Sequence, residues 1–132
     1  MNRFPNIISS FYIKFIKLIR KRNIKNTLVP LSKFSSNLDI YFQRCVIESV
    51  QQVIIIGISY PNEKMVVKNP GIVSNVVKYN KIFFEFAEKY DFITFITPLD
   101  SRDHREEIFE DGYHPNIYGN DLVFNSISKV IA

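Results

Sequence analysis

A single cysteine, Cys45, stands in the 132 residues. It cannot form an internal disulfide, so a small secreted scaffold stapled by disulfides is excluded and a cytoplasmic, reducing setting is expected. No Cys/His cluster has the spacing of a zinc site, and no metal or organic cofactor is expected. Only four Gly and six Pro stand against twelve Phe and seven Tyr. That ratio excludes collagen-like, linker-like and disordered chains. The length suits one domain with a real core and is too short for two.

Acidic residues are missing altogether from the first 26 positions, where Arg3, Lys14, Lys17, Arg20, Lys21, Arg22 and Lys25 all lie. The formal charge of +4 therefore belongs to this arm, because from Asn26 onward Asp and Glu outnumber Lys and Arg. The reading divides the chain into a basic arm, 1–26, and a slightly acidic body, 27–132. Uninterrupted apolar stretches are lacking too. The run from Ile7 to Ile19 is broken by Lys14 and Lys17 and falls short of the ~20 residues a membrane span needs. Its charges follow the apolar part and no small-residue cleavage site comes after, which excludes a signal peptide. Ile8, Phe11, Tyr12, Phe15, Ile16 and Ile19 share one helical face, opposite Lys14, Lys17 and Lys21. Such a helix packs on its own domain or a neighbour, or lies on an anionic membrane surface. Nucleic acid is not an expected partner, since no base-stacking array accompanies the charge.

The body alternates helices and strands. Pro30 and Ser32 precede a stripe of Phe34, Leu38, Tyr41, Phe42 and Cys45, predicting a helix that ends near Ser49. Val53–Ile58 is a β-branched run typical of a strand covered on both faces. Residues 60–71, with two Pro and two Asn, read as a loop. Val73, Val76, Val77, Asn80, Phe83, Phe84 and Ala87 predict a helix to about Tyr90, followed by a short strand, Phe92–Ile96. A polar stretch, 100–112, leads to a last helix bearing Leu122, Val123, Ile127 and Val130. This order argues for an α/β fold with a parallel sheet.

The chemistry-bearing residues lie in Asp111-Gly112-Tyr113-His114-Pro115-Asn116-Ile117-Tyr118-Gly119. A carboxylate three residues before a histidine can accept the imidazole Nδ1 proton, leaving Nε2 as a general base. Pro115 favours an abrupt turn into the helix, Asn116 is a candidate cap, and Gly119 permits close approach of a neighbouring element. Alone, Asp-x-x-His is a weak signal that chance supplies in many loops. The longer Asp-x-x-His-Pro-Asn-x-x-Gly at the start of a C-terminal helix resembles the last block of the SGNH (GDSL-type) hydrolases, and most of all the branch found beside polysaccharide-synthesis functions.

That resemblance spans roughly Val53 to Ala132. It implies a three-layer α/β/α sandwich (the flavodoxin-like SGNH hydrolase fold), incomplete on its N-terminal side. It implies His114 and Asp111 as catalytic residues of a Ser-His-Asp triad. The implied substrate is an acyl ester, such as a carbohydrate O-acetyl group. The family's Gly-Asp-Ser nucleophile block and its Gly-x-Asn-Asp block do not occur in these 132 residues. The expectation is therefore a partial hydrolase; the alternative is a non-catalytic binding or assembly module. Ser59, at the end of the Ile-rich strand, is the first substitute nucleophile to weigh, but Tyr60-Pro61 after it reads as a loop. Ser101 and Ser74 are weaker, and His104 lies among Asp103, Arg105, Glu106 and Glu107 on a charged, solvated face. Cys45 falls on the apolar stripe of its helix and is expected in the core. Without an earlier neighbour, the Ile-rich strand presents a bare edge, and self-association is expected.

Overall fold

The computed structural model describes residues 29–100 and 114–131. The basic arm, Ser101, His104 and Asp111 lie outside the described residues. Six elements follow one another: α1 (Leu31–Ile47), β1 (Val53–Ile56), α2 (Glu63–Lys68), α3 (Ile72–Lys89), β2 (Ile93–Ile96) and α4 (Ile117–Ile131). The strands pair in parallel, Val53 opposite Ile93 through Ile56 opposite Ile96. Parallel neighbours need a long crossover, which α2 and α3 provide. The fold is thus α/β with a parallel sheet, and among the described residues that sheet has two strands.

One face of the sheet makes the core. Val53, Ile55, Ile93 and Phe95 alternate onto the same side and meet Leu38, Phe42 and Cys45 of α1 and Ile82, Phe83, Phe86 and Ala87 of α3. Phe42 is 1% exposed and Ile93 5%, so each side chain contributes about 1.5–3 kcal/mol of burial. Phe42 also packs its ring 5.1 Å from Phe86 and 6.2 Å from Tyr90. An ion pair, Lys89 to Asp39 at 2.9 Å, links the last residue of α3 to the middle of α1 at the surface. The Tyr79 hydroxyl donates to the Val29 carbonyl, tying α3 to the start of α1. Cys45 is buried, as its place on the stripe predicts.

The boundaries differ from the sequence expectation in instructive ways. Ser32 lies inside α1, which begins at Leu31. At its other end α1 stops at Ile47, where Ser49 adopts a left-handed φ of 55° and the Val50 N–H donates back to the Cys45 carbonyl. Tyr41, placed on the apolar stripe, is 56% exposed. In α3 the buried residues are Val76 and Phe86, while Val77 and Phe84 face outward. The expected loop over 60–71 contains α2. Asn62 is 2% exposed and its Oδ1 accepts from the Met65 N–H at 3.2 Å, which satisfies a helix-start donor and nucleates the turn. The strand expected to reach Ile58 stops at Ile56 because a side chain takes over the next backbone groups.

Candidate functional site

The carboxyl ends of parallel strands are where open α/β sheets bind ligands. At the end of β1 the backbone is fixed by three successive devices. Gly57 donates to the Ile96 carbonyl at 2.8 Å, continuing the ladder by one bond. A Cβ on Gly57 would lie 2.8 Å from Thr97 Cγ2 and 3.1 Å from the Phe95 ring, so glycine alone lets β1 lie this close to the side chains of β2. Next, the Asn80 side chain of α3 clasps Ile58. Its Oδ1 accepts from the Ile58 N–H and its Nδ2 donates to the Ile58 carbonyl, both at 2.8 Å. Finally Pro61 and Asn62 are buried, and Asn62 caps α2. Ser59 and Tyr60 lie half-buried between these anchors.

The end of β2 carries α4. Leu99 is 3% exposed and packs against Val123, which seats α4 beside the carboxyl end of the sheet. Asn116 caps this helix as its spacing predicts: its Oδ1 accepts from the Gly119 N–H at 3.1 Å, and its carbonyl accepts from the Asn120 N–H at 3.0 Å. Gly119 is the buried residue of α4. His114 and Pro115 are exposed immediately before the cap. Imidazole and helix start are thereby held two residues apart on a capped turn, with the positive end of the α4 dipole nearby.

Of the two expected catalytic residues, the structure places His114 at this helix start, while Asp111 lies outside the described residues. Ser74 is exposed in the first turn of α3. Asn80, which the sequence places only on a helical stripe, proves to be the residue that shapes the end of β1. A lone amide in an otherwise apolar stripe was the available signal. Every buried side-chain nitrogen or oxygen among the described residues has a partner. Among them, too, no helix is long and apolar enough to cross a membrane.

Comparison with known proteins returns no match to a family profile, a curated protein or a solved structure.

Proposed function

We propose that this chain is the C-terminal part of an SGNH (GDSL-type) hydrolase domain, built as a three-layer α/β/α sandwich, that cleaves acyl esters such as carbohydrate O-acetyl groups. The observation that carries the reading is the Asp-x-x-His-Pro-Asn-x-x-Gly block at the start of α4. There Asn116 caps the helix and Leu99 packs it beside the carboxyl end of the sheet. The parallel β1–β2 pair with its helical crossover is compatible with the proposed sandwich.

In this reading His114 Nε2 takes the proton from a serine hydroxyl as the oxygen attacks the ester carbonyl. The same nitrogen then protonates the departing alkoxide. Asp111 accepts the Nδ1 proton as a hydrogen bond and stabilises the imidazolium formed in between. Serine and oxyanion donors belong to a Gly-Asp-Ser segment that these 132 residues do not contain. The chain by itself is therefore expected to show no ester turnover above background, since a general base without nucleophile and oxyanion hole gives little rate enhancement. Burst release from an activated ester, with stoichiometric fluorophosphonate labelling, would contradict this and make Ser59 the first residue to mutate.

The positive test is genetic and then enzymatic. A Gly-Asp-Ser block encoded upstream of Met1 in frame, joined to this chain, should yield an esterase that His114→Ala slows by at least about 10³-fold. A joined protein whose turnover is indifferent to His114→Ala would refute the assignment. The missing nucleophile block also favours a second reading, a non-catalytic binding or assembly module derived from the same fold. Absence of any such upstream block decides for it.

A further inference from the structure

Carboxylates set in late along the chain, and the fold gathers the acid-free segments at one end. The first acid is Asp39, after eight Lys and Arg. A second acid-free run, Lys64 to Phe84, carries Lys64, Lys68, Lys78 and Lys81. Phe34 near the start of α1 lies 4.8 Å from Tyr79, whose hydroxyl holds the Val29 carbonyl. The next residue, Asn80, clasps Ile58 just past the carboxyl end of β1. Phe42, later in α1, instead meets Tyr90, which packs on Phe92 at the head of β2. Both helices therefore run from the carboxyl end of the sheet to its amino end. Their acid-free first halves and the junction to the basic arm at Val29 share the carboxyl end, while Glu48, Glu85, Glu88 and Asp91 lie towards the other. Lys33, Lys64, Lys68 and Lys78 are exposed at the carboxyl end, where the acids are Glu63, Asp100 and Asp121.

We propose that the arm, 1–26, docks the protein on an anionic lipid surface, with the carboxyl end of the sheet turned towards that surface. The inference stands apart from the hydrolase reading. Cations opposite an apolar face with aromatic residues are what an interfacial helix requires: Phe11, Tyr12, Phe15 and Ile16 enter the headgroup layer while Lys14, Lys17 and Lys21 meet anionic headgroups. Folding the arm back onto the end where it joins would instead set its cations against Lys33 and Lys78. A nucleic acid would use the charge and leave the apolar stripe in water. Orientation follows from the junction. Tyr79 ties Val29 one residue from the clasp that fixes the end of β1, so a docked arm keeps that end of the sheet at the surface. The lysines there add to the attraction, and the acids of the opposite end face away from like charge.

Co-sedimentation of the full chain with lipid vesicles tests the proposal. The chain should bind vesicles of mixed phosphatidylglycerol and phosphatidylcholine, release them as salt rises, and ignore pure phosphatidylcholine. Lys17→Gln and Lys21→Gln should each weaken binding roughly fivefold. Phe15→Ser should weaken it by about tenfold or more. For orientation, a fluorophore is placed in a Cys45→Ala background at Ser32→Cys, in the first turn of α1, or at Gln51→Cys, ahead of β1. Headgroup-quencher lipid should quench the first more strongly than the second. No binding to the anionic vesicles overturns the proposal. Binding indifferent to Phe15→Ser also overturns it, by reducing the arm to a polycation for any soluble polyanion. A Phe15→Ser chain whose thermal midpoint falls in the absence of vesicles overturns it too, because the stripe then covers its own domain. Equal quenching at the two labels overturns the orientation.

Discussion

Replacing Asn80 by alanine removes both partners of Ile58 at once and isolates the contribution of one amide to the strand end. Each of the two 2.8 Å hydrogen bonds is worth about 0.5–1.5 kcal/mol net. The site is only partly buried, so water recovers some of the loss at the freed backbone groups, and about 2 kcal/mol of destabilisation is expected. With a urea slope of about 1.5–2 kcal/mol/M, the unfolding midpoint should fall by about 1 M. Native-state hydrogen exchange localises the effect. The Ile58 amide should exchange through local opening in Asn80→Ala, while the Ile55 amide changes only by the global loss. Asn80→Asp provides the internal check: it keeps an acceptor for the Ile58 N–H but turns a carboxylate oxygen on the Ile58 carbonyl. It should be at least as destabilised at neutral pH and recover in part as acid protonates it. A midpoint within error of the parent, with unaltered exchange at Ile58, would refute the clasp.

Other outcomes follow from single contacts. Gly57→Ala should destabilise by about 1–3 kcal/mol in urea unfolding, because the new methyl group would lie 2.8 Å from Thr97 Cγ2 and 3.1 Å from the Phe95 ring, which packs against the core and must shift. Ser49→Gly should stabilise by roughly 0.5 kcal/mol, the relief of a left-handed non-glycine residue exceeding the added chain entropy. Lys89 has its pKa raised above the ordinary lysine value by the hydrogen bond from its ammonium to Asp39, helped by Tyr90. Its contribution is therefore present below the ordinary lysine pKa and lost as pH climbs through the raised one. Asp39→Asn should lower the Lys89 pKa measured by NMR, and the small stability gap between parent and variant should close at high pH.

The elements built on repeated apolar residues were legible in the sequence. The stripe through Phe42 and Cys45, the Ile-rich strand and the strand ending at Ile96 mark α1, β1 and β2 to within two residues, because burial of a core face imposes the period. Asn116 was legible as a cap because its spacing to Gly119 is local. Less visible was whatever depends on contacts across the fold. Helix α2 hides in a Pro/Asn-rich stretch, since its start rests on one buried amide, Asn62, with no apolar stripe to announce it. The end of β1 at Ile56 is set by Asn80, 22 residues beyond the Ile58 it binds. Tyr41, Val77 and Phe84 sit near the margins of their stripes, where a step of 100° per residue leaves the burying face undecided. The pairing of Asp111 with His114 belongs to the same class of question, since three residues of spacing allow the contact without compelling it.

The tautomer of His114 tests the central claim most directly, in the chain as it stands and without any substrate. A carboxylate on Nδ1 locks the neutral ring with its proton on that nitrogen and leaves Nε2 bare. Nitrogen-15 correlation spectra above the histidine titration should show the Nδ1–H form of His114, with a far-downfield proton that disappears in Asp111→Ala as the ring reverts to the usual tautomer mixture. A His114 signal already in the ordinary mixture, unchanged by Asp111→Ala, would contradict the dyad and with it the proposed acyl hydrolase.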